Sequence, residues 1–322
     1  MWQGILGHDW NMEKFHRAAR RGRLFGSFLF IGPPGVGKKM FAFALAKTLL
    51  CHNRGVDVFE PCGRCPSCLV FPGHPDFFVV SKPDDKTEIP LELLIGSKEN
   101  RGKEGLCYEI SRTPYMGNRK IAIIDDADDF NQEGANSLLK TLEEPPPNSL
   151  LILLGTSATK QLPTIRSRCQ IIRFSPLSSQ NLGTILHNTG IAETLEQGLK
   201  IAQHSSGGVE QARDRSDESM EAFRKTFEQA ISATLPDTVR LASSLVEWID
   251  SAGKDSQAKR KRLRTVLAMA LDHDRAWVEK NDSGDPVPRT RFIRRIERTL
   301  DALEQVDRNV SLPLIVEHWV NE

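Results

Sequence analysis

The sequence predicts an α/β fold: a parallel sheet flanked by helices in the N-terminal part, followed by helices alone. Three observations predict it. Short apolar runs alternate with helix-compatible segments up to about residue 175, the first run leads straight into the glycine-rich loop Gly32-Pro-Pro-Gly-Val-Gly-Lys38, and strand signals stop after Pro176. Strands alternating with helices mark a parallel sheet, because the crossover between parallel neighbours is commonly a helix.

The elements follow in order. Residues 11 to 24 read as a helix, with apolar Met12, Phe15 and Ala19 at helical spacing. Phe28 to Ile31 is a continuous apolar run bounded by turn residues, the pattern of a strand buried on both faces. A helix rich in Ala, Leu and Phe is expected from Lys38 to Leu50. Further strands are expected at Phe77–Val80, Ile121–Ile124, Leu150–Leu154 and Gln170–Phe174, with a helix at Gln132–Leu142. Residues 178 to 205 and 210 to 234 read as helical around a Ser-Gly-Gly break at 206–208, and Pro236 punctuates again. The remainder reads as helices interrupted at residues 281–286. This gives three expected domains: 1–175 with the phosphate loop, 176–235 as a small helical domain, and 236–322 as a helical C-terminal domain.

The loop matches G-x-x-x-x-G-K in the context that gives the match meaning, after a strand and before a helix. Gly32, Gly35 and Gly37 let the backbone curl so that its N–H groups face phosphate oxygens. The helix N-terminus adds a favourable dipole, and Lys38 supplies countercharge. The next position ordinarily carries Ser or Thr, whose hydroxyl ligates Mg²⁺; here it is Lys39. An ammonium has no lone pair for a metal and repels it, so Mg²⁺ binding is doubtful. Ile121-Ala-Ile-Ile-Asp125-Asp126 is an apolar strand ending in acid, the Walker B pattern, with Asp125 at the metal-holding position. Where Glu commonly orients the attacking water, Asp126 is one methylene shorter, and in-line attack is sensitive to displacements of about an ångström.

Cys51, Cys62, Cys65 and Cys68 form C-x10-C-x2-C-x2-C just after the expected loop helix. Four thiolates at this spacing suit a tetrahedral structural Zn²⁺, with Gly63 and Pro66 helping the turns. An Fe–S cluster uses the same ligands, but nothing else in the chain suggests electron transfer. Cys107 and Cys169 stand apart.

Lys plus Arg total 43 against 42 for Asp plus Glu, so overall charge does not announce a nucleic-acid binder. Between residues 251 and 300, however, 13 Lys/Arg face 7 Asp/Glu. A solvated helix face and a basic surface near DNA or a partner both fit that excess. No stretch approaches the roughly 18 to 20 apolar residues of a membrane span, and the N-terminus has no apolar signal core. A cytoplasmic location is expected, which favours reduced cysteines.

The runs Pro114-Tyr-Met-Gly-Asn-Arg-Lys-Ile-Ala-Ile-Ile-Asp-Asp-Ala-Asp128 and Ala135-Asn-Ser-Leu-Leu-Lys-Thr-Leu-Glu-Glu-Pro-Pro-Pro-Asn148, with Leu162-Pro-Thr-Ile-Arg-Ser-Arg-Cys169, resemble bacterial clamp-loader subunits of the AAA+ class. The four-cysteine insertion is similar to that of the gamma/tau and delta-prime subunits. The resemblance is strong over residues 1 to about 175 and beyond that rests on domain order. It implies an AAA+ domain, a helical lid and a helical collar. It also implies that Arg168 is an arginine finger acting on a neighbouring subunit's nucleotide and that Thr156 is the sensor residue near the γ-phosphate. Ile5-Leu6-Gly7-His8 resembles the family's N-terminal segment that packs near the adenine. The helical lid of active members carries an arginine in a pattern like Gly-x-x-Arg-x-Ala; the nearest local match, Gly207-Gly-Val-Glu-Gln-Ala212, puts Glu210 at the arginine position, where a carboxylate repels phosphate.

Lys39, Asp126 and Glu210 together favour the delta-prime role. That role is a stator that lends its finger without hydrolysing ATP, in a complex with gamma/tau motor subunits and the delta subunit, loading the sliding clamp at primer–template DNA. An active motor ATPase of the gamma/tau kind is the alternative, and a zinc-dependent nucleic-acid binder is a third. Weak ADP or ATP binding is compatible with the intact loop. No polymerase-like carboxylate pair lies outside the loop domain, so nucleotidyl transfer is not expected of this chain.

Overall fold

The computed structural model describes the 322-residue chain except residues 1, 56–57, 84, 204, 206, 216–222, 224–225, 228–237, 254, 281–285, 309 and 322. It forms two compact units, Met1–Arg213 and Asp214–Glu322.

The first unit is built on a five-stranded, wholly parallel sheet: β1 (Gly26–Ile31), β2 (Phe77–Val80), β3 (Lys120–Ile124), β4 (Ser149–Gly155) and β5 (Gln170–Arg173), in the order β2-β3-β4-β1-β5. Around it lie α1 (Asp9–Arg20), α2 (Lys38–Leu50), α3 (Pro66–Val70), α4 (Leu91–Ile95), α5 (Leu106–Ser111), α6 (Gln132–Glu143) and α7 (Pro163–Arg166). Every residue of β3 and β4 is buried, as the apolar runs Ile121–Ile124 and Leu150–Leu154 within them require in a sheet covered on both faces. Successive side chains alternate between two cores. Phe28, Phe30, Ile121, Ile123, Leu150 and Ile152 pack with Phe15 of α1 and Phe41 and Leu45 of α2. Leu29, Ile31, Ala122, Ile124, Leu151 and Leu153 pack with Leu94 of α4, Ile110 of α5 and Leu138 of α6. The edge strands β2 and β5 are short and partly exposed, which limits their capacity to pair with another chain.

All five expected strands are present, within two residues at each end. Two helix expectations change. The first helix begins at Asp9 and ends at Arg20, because the chain turns at Arg21 and Gly22 (φ +63°) to enter β1. Residues 178–205 form two helices, α8 (Ser179–Asn188) and α9 (Leu195–Gln203), broken where Gly190 takes φ +72°. The break lets the two helices fold back on each other so tightly that a Cβ on Gly198 would lie 2.6 Å from the carbonyl oxygen of Gly183. Leu177, Leu182, Leu186, Ala192 and Ala202 form their core, joined by Ala212 from α10 (Val209–Arg215). Most of the expected 210–234 helix, Ser206 and Pro236 lie outside the described residues.

The second unit contains α11 (Thr238–Asp250), α12 (Ser256–Lys280), α13 (Pro286–Asp307) and α14 (Leu312–Asn321). Leu245, Leu263, Val266, Leu267, Val306 and Val316 are fully or almost fully buried between them. The basic residues at the start of α12 have internal partners. Arg260 donates to the carbonyls of Val306 (3.3 Å) and Val310 (3.0 Å), and Arg262 donates to Trp248 O (2.8 Å) while lying over its ring. Lys259 pairs with Asp250 at 2.6 Å. Part of the positive charge counted in the sequence therefore ties helices together.

Candidate nucleotide site and cysteine cluster

The parallel register brings three strand ends to one edge of the sheet. Ile31 of β1 pairs with Gly155 of β4, and Ile124 of β3 pairs with Leu153. The residues that follow, Gly32, Thr156 and Asp125, therefore emerge together. Gly32 has no room for a side chain, because a Cβ would lie 2.3 Å from Phe174 O, just beyond β5. Gly35 and Gly37 adopt φ +71° and +99°, left-handed values that glycine alone takes without strain. Gly37 then caps α2, whose first residue is Lys38.

The Lys38 ammonium turns back into the loop, donating to Gly32 O (2.6 Å) and Pro33 O (2.8 Å). Burial holds its pKa below the ordinary lysine value, while the charges of Asp128, Asp125, Glu210 and Asp126 work in the opposite direction. His8 braces the loop from outside: its Nε2 is 2.7 Å from Val36 O, and its ring packs on Phe174. Burial lowers the His8 pKa, against the Val36 carbonyl and the Asp9 charge. The Ile5–His8 segment thus borders the loop.

Lys39, in the first turn of α2, forms an ion pair with Asp125 at 2.9 Å. The ammonium occupies the carboxylate on which a Mg²⁺ would depend, and the hydroxyl ligand is absent. At an effective dielectric of about 20, unit charges about 4 Å apart interact by about 4 kcal/mol, so a divalent ion beside this ammonium meets about twice that in repulsion. These residues do not fit Mg²⁺. Asp126 takes the left-handed conformation (φ +55°). Its carboxyl is pushed above the usual range by burial and by Asp125 and Asp129, against Lys82 and Lys39.

Thr156 points its hydroxyl and its N–H (2.8 Å) at one oxygen of Asp128, and Gln161 donates to the other. Thr156 is legible in the sequence, whereas the pairing of Asp128 with Gln161 spans 33 positions and has no local signature. Glu210 lies at the start of α10, which closes on the loop: Val209 N donates to Gly35 O (3.0 Å), and a Cβ on Gly208 would lie 2.5 Å from Pro34 O.

Arg168 is elsewhere. It precedes β5, whose first residue, Gln170, pairs with Phe28. That register sets Gln170 about 13 Å from Gly32 along β1, at about 3.3 Å per residue, and Arg168 lies two residues earlier in the chain, at the opposite edge of the sheet from Gly32. Its Nε donates to Glu143 Oε1 (2.6 Å) and its Nη1 to Thr164 O (3.0 Å) and Ser167 Oγ (3.3 Å). It cannot serve its own loop from there.

The four cysteines converge beyond α2. Cys51 caps that helix, and Cys65 precedes α3. All four sulfurs lie within 4.8 Å of one another, with Cys51–Cys65 at 3.9 Å and Cys62–Cys68 at 4.0 Å. Zn–S bonds of about 2.3 Å in a tetrahedron place sulfurs about 3.8 Å apart, so the set fits a metal ion such as zinc. The N–H groups of Cys62 and Cys65 point at the sulfurs of Cys51 and Cys62, both at 3.3 Å, the support that bound thiolates need. Burial pushes the Cys65 thiol up, but N–H groups of Cys68 and His52 and the neighbouring thiols bring it down to about 6. Cys169 stands outside, its thiol pushed up to about 12 by burial.

A polar chain unmarked in the sequence ties this module to the sheet. His52 contacts Ser67 Oγ (2.9 Å), Ser67 contacts His74 Nε2 (3.0 Å), and Asp76 N donates to His74 Nδ1 (3.0 Å). The fully buried Asp76 carboxylate accepts the N–H groups of Tyr115 (2.6 Å), Met116 (2.8 Å) and Gly117 (2.9 Å).

A parallel sheet with β4 between the loop strand and the Walker B strand, a phosphate loop and a helical module folded onto it define a P-loop protein of the AAA+ class. The protein-family model described as "DNA polymerase III, delta subunit" matches residues 7–178. The chain belongs to that family of DNA polymerase III clamp-loader subunits. It is 27% identical to DNA polymerase III subunit delta' of Pseudomonas aeruginosa over 70% of this chain and 69% of the relative. It is 33% identical to the Bacillus subtilis subunit delta' over 52% of this chain but only 47% of that relative. The Bacillus subtilis subunit tau is 29% identical over 68% of this chain and 37% of its own length. Among the described residues, no helix is long and apolar enough to cross a membrane.

Proposed function

We propose that this chain is a stator subunit of the delta-prime kind, lending Arg168 to a neighbouring subunit's ATP site while turning over little or no ATP itself. The observation that carries this reading is the split between the two edges of the sheet. The loop edge holds Lys39 on Asp125, whereas Arg168 stands at the far edge, available to another subunit. A guanidinium aimed at a neighbour's transferred phosphoryl group stabilises the charge that develops there. Glu210 near Lys38 and the short arm of Asp126 disfavour hydrolysis in cis.

Under this reading residues 1–175 are the AAA+ domain, 176–235 its lid and 236–322 the collar. The partners are gamma/tau motor subunits and the delta subunit, acting together on the sliding clamp and primer–template DNA in the cytoplasm. Zinc on the four cysteines has a structural role, since no ligand position is left open for substrate. The test is a reconstituted loader. Arg168→Ala should lower clamp- and DNA-stimulated ATPase by about 10³-fold or more while leaving assembly intact; unchanged turnover would remove the finger.

The intact Gly32–Lys38 loop and the similarity to subunit tau favour a motor ATPase as the second reading. Motor-like turnover by the isolated chain, abolished by Lys38→Ala, would select it.

A further inference from the structure

The loop edge carries two consecutive ammonium groups with different engagements. Lys38 is parked on the carbonyl oxygens of Gly32 and Pro33, inside the loop. Lys39 is parked on Asp125, the Walker B carboxylate, with more than half of its side chain exposed. In a phosphate loop a divalent ion neutralises phosphate oxygens while the acid at the end of the Walker B strand holds that ion. Here a positive charge already sits on that acid, covalently tethered through the first turn of α2 and carrying three N–H donors. Lys39 cannot diffuse away, and its presence on Asp125 opposes the entry of a free divalent ion.

We infer that Lys39 stands in for the divalent cation, so that this loop takes a nucleoside polyphosphate with a tethered ammonium on Asp125 in place of a metal ion. The inference rests on the stator reading above, in which the intact Gly32–Lys38 loop turns over little or no ATP, and assigns that loop a metal-independent mode of nucleotide binding. The glycine turns at Gly35 and Gly37 supply N–H groups to the phosphates, and Lys38 exchanges its carbonyl partners for phosphate oxygens. Lys39 neutralises the charge remaining between those oxygens and Asp125. Such a site holds nucleotide without polarising it for attack, because an ammonium provides no Lewis-acid centre.

The test uses the full-length chain and a fluorescent ADP analogue, titrated in excess EDTA and in excess magnesium. Wild-type affinity should differ by less than about threefold between the two conditions, whereas Lys39→Thr should bind at least about tenfold more tightly with magnesium than with EDTA. Lys38→Ala should abolish binding in both conditions, which locates the ligand in this loop. Competition with inorganic pyrophosphate separates recognition of the phosphates alone from recognition of the whole nucleotide. Magnesium-dependent binding by wild type, no binding in either condition, or binding untouched by Lys38→Ala would each overturn the inference. None of these outcomes bears on whether Arg168 acts in trans, which the loader assay reads separately.

Discussion

The guanidinium of Arg168 is fixed by the carboxylate of Glu143: Nε donates to Oε1 at 2.6 Å, and Nη2 contacts the same oxygen. Glu143 is the last residue of α6, so the guanidinium also lies by the negative end of that helix. The Glu143 side chain is half exposed and that of Arg168 nearly a third, so the pair contributes under about 1 kcal/mol to stability. Its consequence is orientation, since the pairing removes rotamer freedom from a long side chain.

In the reconstituted loader, Glu143→Gln should lower stimulated ATPase by about 3- to 30-fold, the size of effect expected when a preorganised group is loosened rather than removed. In an Arg168→Ala background the same change should have no further effect. Equal losses in both backgrounds would mean that Glu143 does not act through Arg168.

Asp76 makes folding pH-dependent. Burial opposes its ionisation, but the N–H groups of Tyr115, Met116 and Gly117 and the nearby His74 hold its carboxyl below the usual range. A carboxyl with a depressed folded-state pKa contributes stability that is complete above its unfolded value of about 4 and is lost as pH falls toward the folded value. Thermal melts should therefore show a steeper loss of Tm below about pH 4 in wild type than in Asp76→Asn. Parallel curves would rule out this contribution.

A metal ion on the four thiolates should stiffen the region after α2. Protein purified without chelator should carry a metal ion that Cys65→Ser loses, at a cost of about 3 kcal/mol or more, read by metal analysis and denaturant unfolding. Undiminished stability with no metal detected in wild type would show that the four thiols stand without an ion.

Phe41 is fully buried among Trp2, Phe15, Phe30 and Phe174, with ring centroids 5.0 to 6.0 Å away. Phe41→Ala should destabilise by about 3 to 5 kcal/mol through lost contacts and a cavity. A change below about 1 kcal/mol would mean that the surrounding rings collapse to fill the space.

The sequence by itself determined the elements whose physics is local. Continuous apolar runs marked β1, β3 and β4, because a strand buried on both faces needs apolar side chains along its length, whereas the partly exposed β2 and β5 were marked by shorter apolar stretches between turn residues. The glycines of the loop marked its left-handed turns, and cysteine spacing marked the thiol cluster, since each reflects constraints within a few residues. Glu210 could be flagged by its neighbours, and Lys39 by the hydroxyl it replaces. The break of residues 178–205 into α8 and α9 was less legible: Gly190 is a weak local signal, and the fold-back depends on Gly183 meeting Gly198.

What only the tertiary structure decided are the pairings between distant segments. That Lys39 rests on Asp125, that Asp128 gathers Thr156 and Gln161, and that His52, Ser67, His74 and Asp76 form one chain depend on strand order and register. The same register sends Gly32 to one edge of the sheet and Arg168 to the other. The physical reason is that a side chain's type is encoded at its own position, whereas its partner is fixed by where the folded backbone carries it.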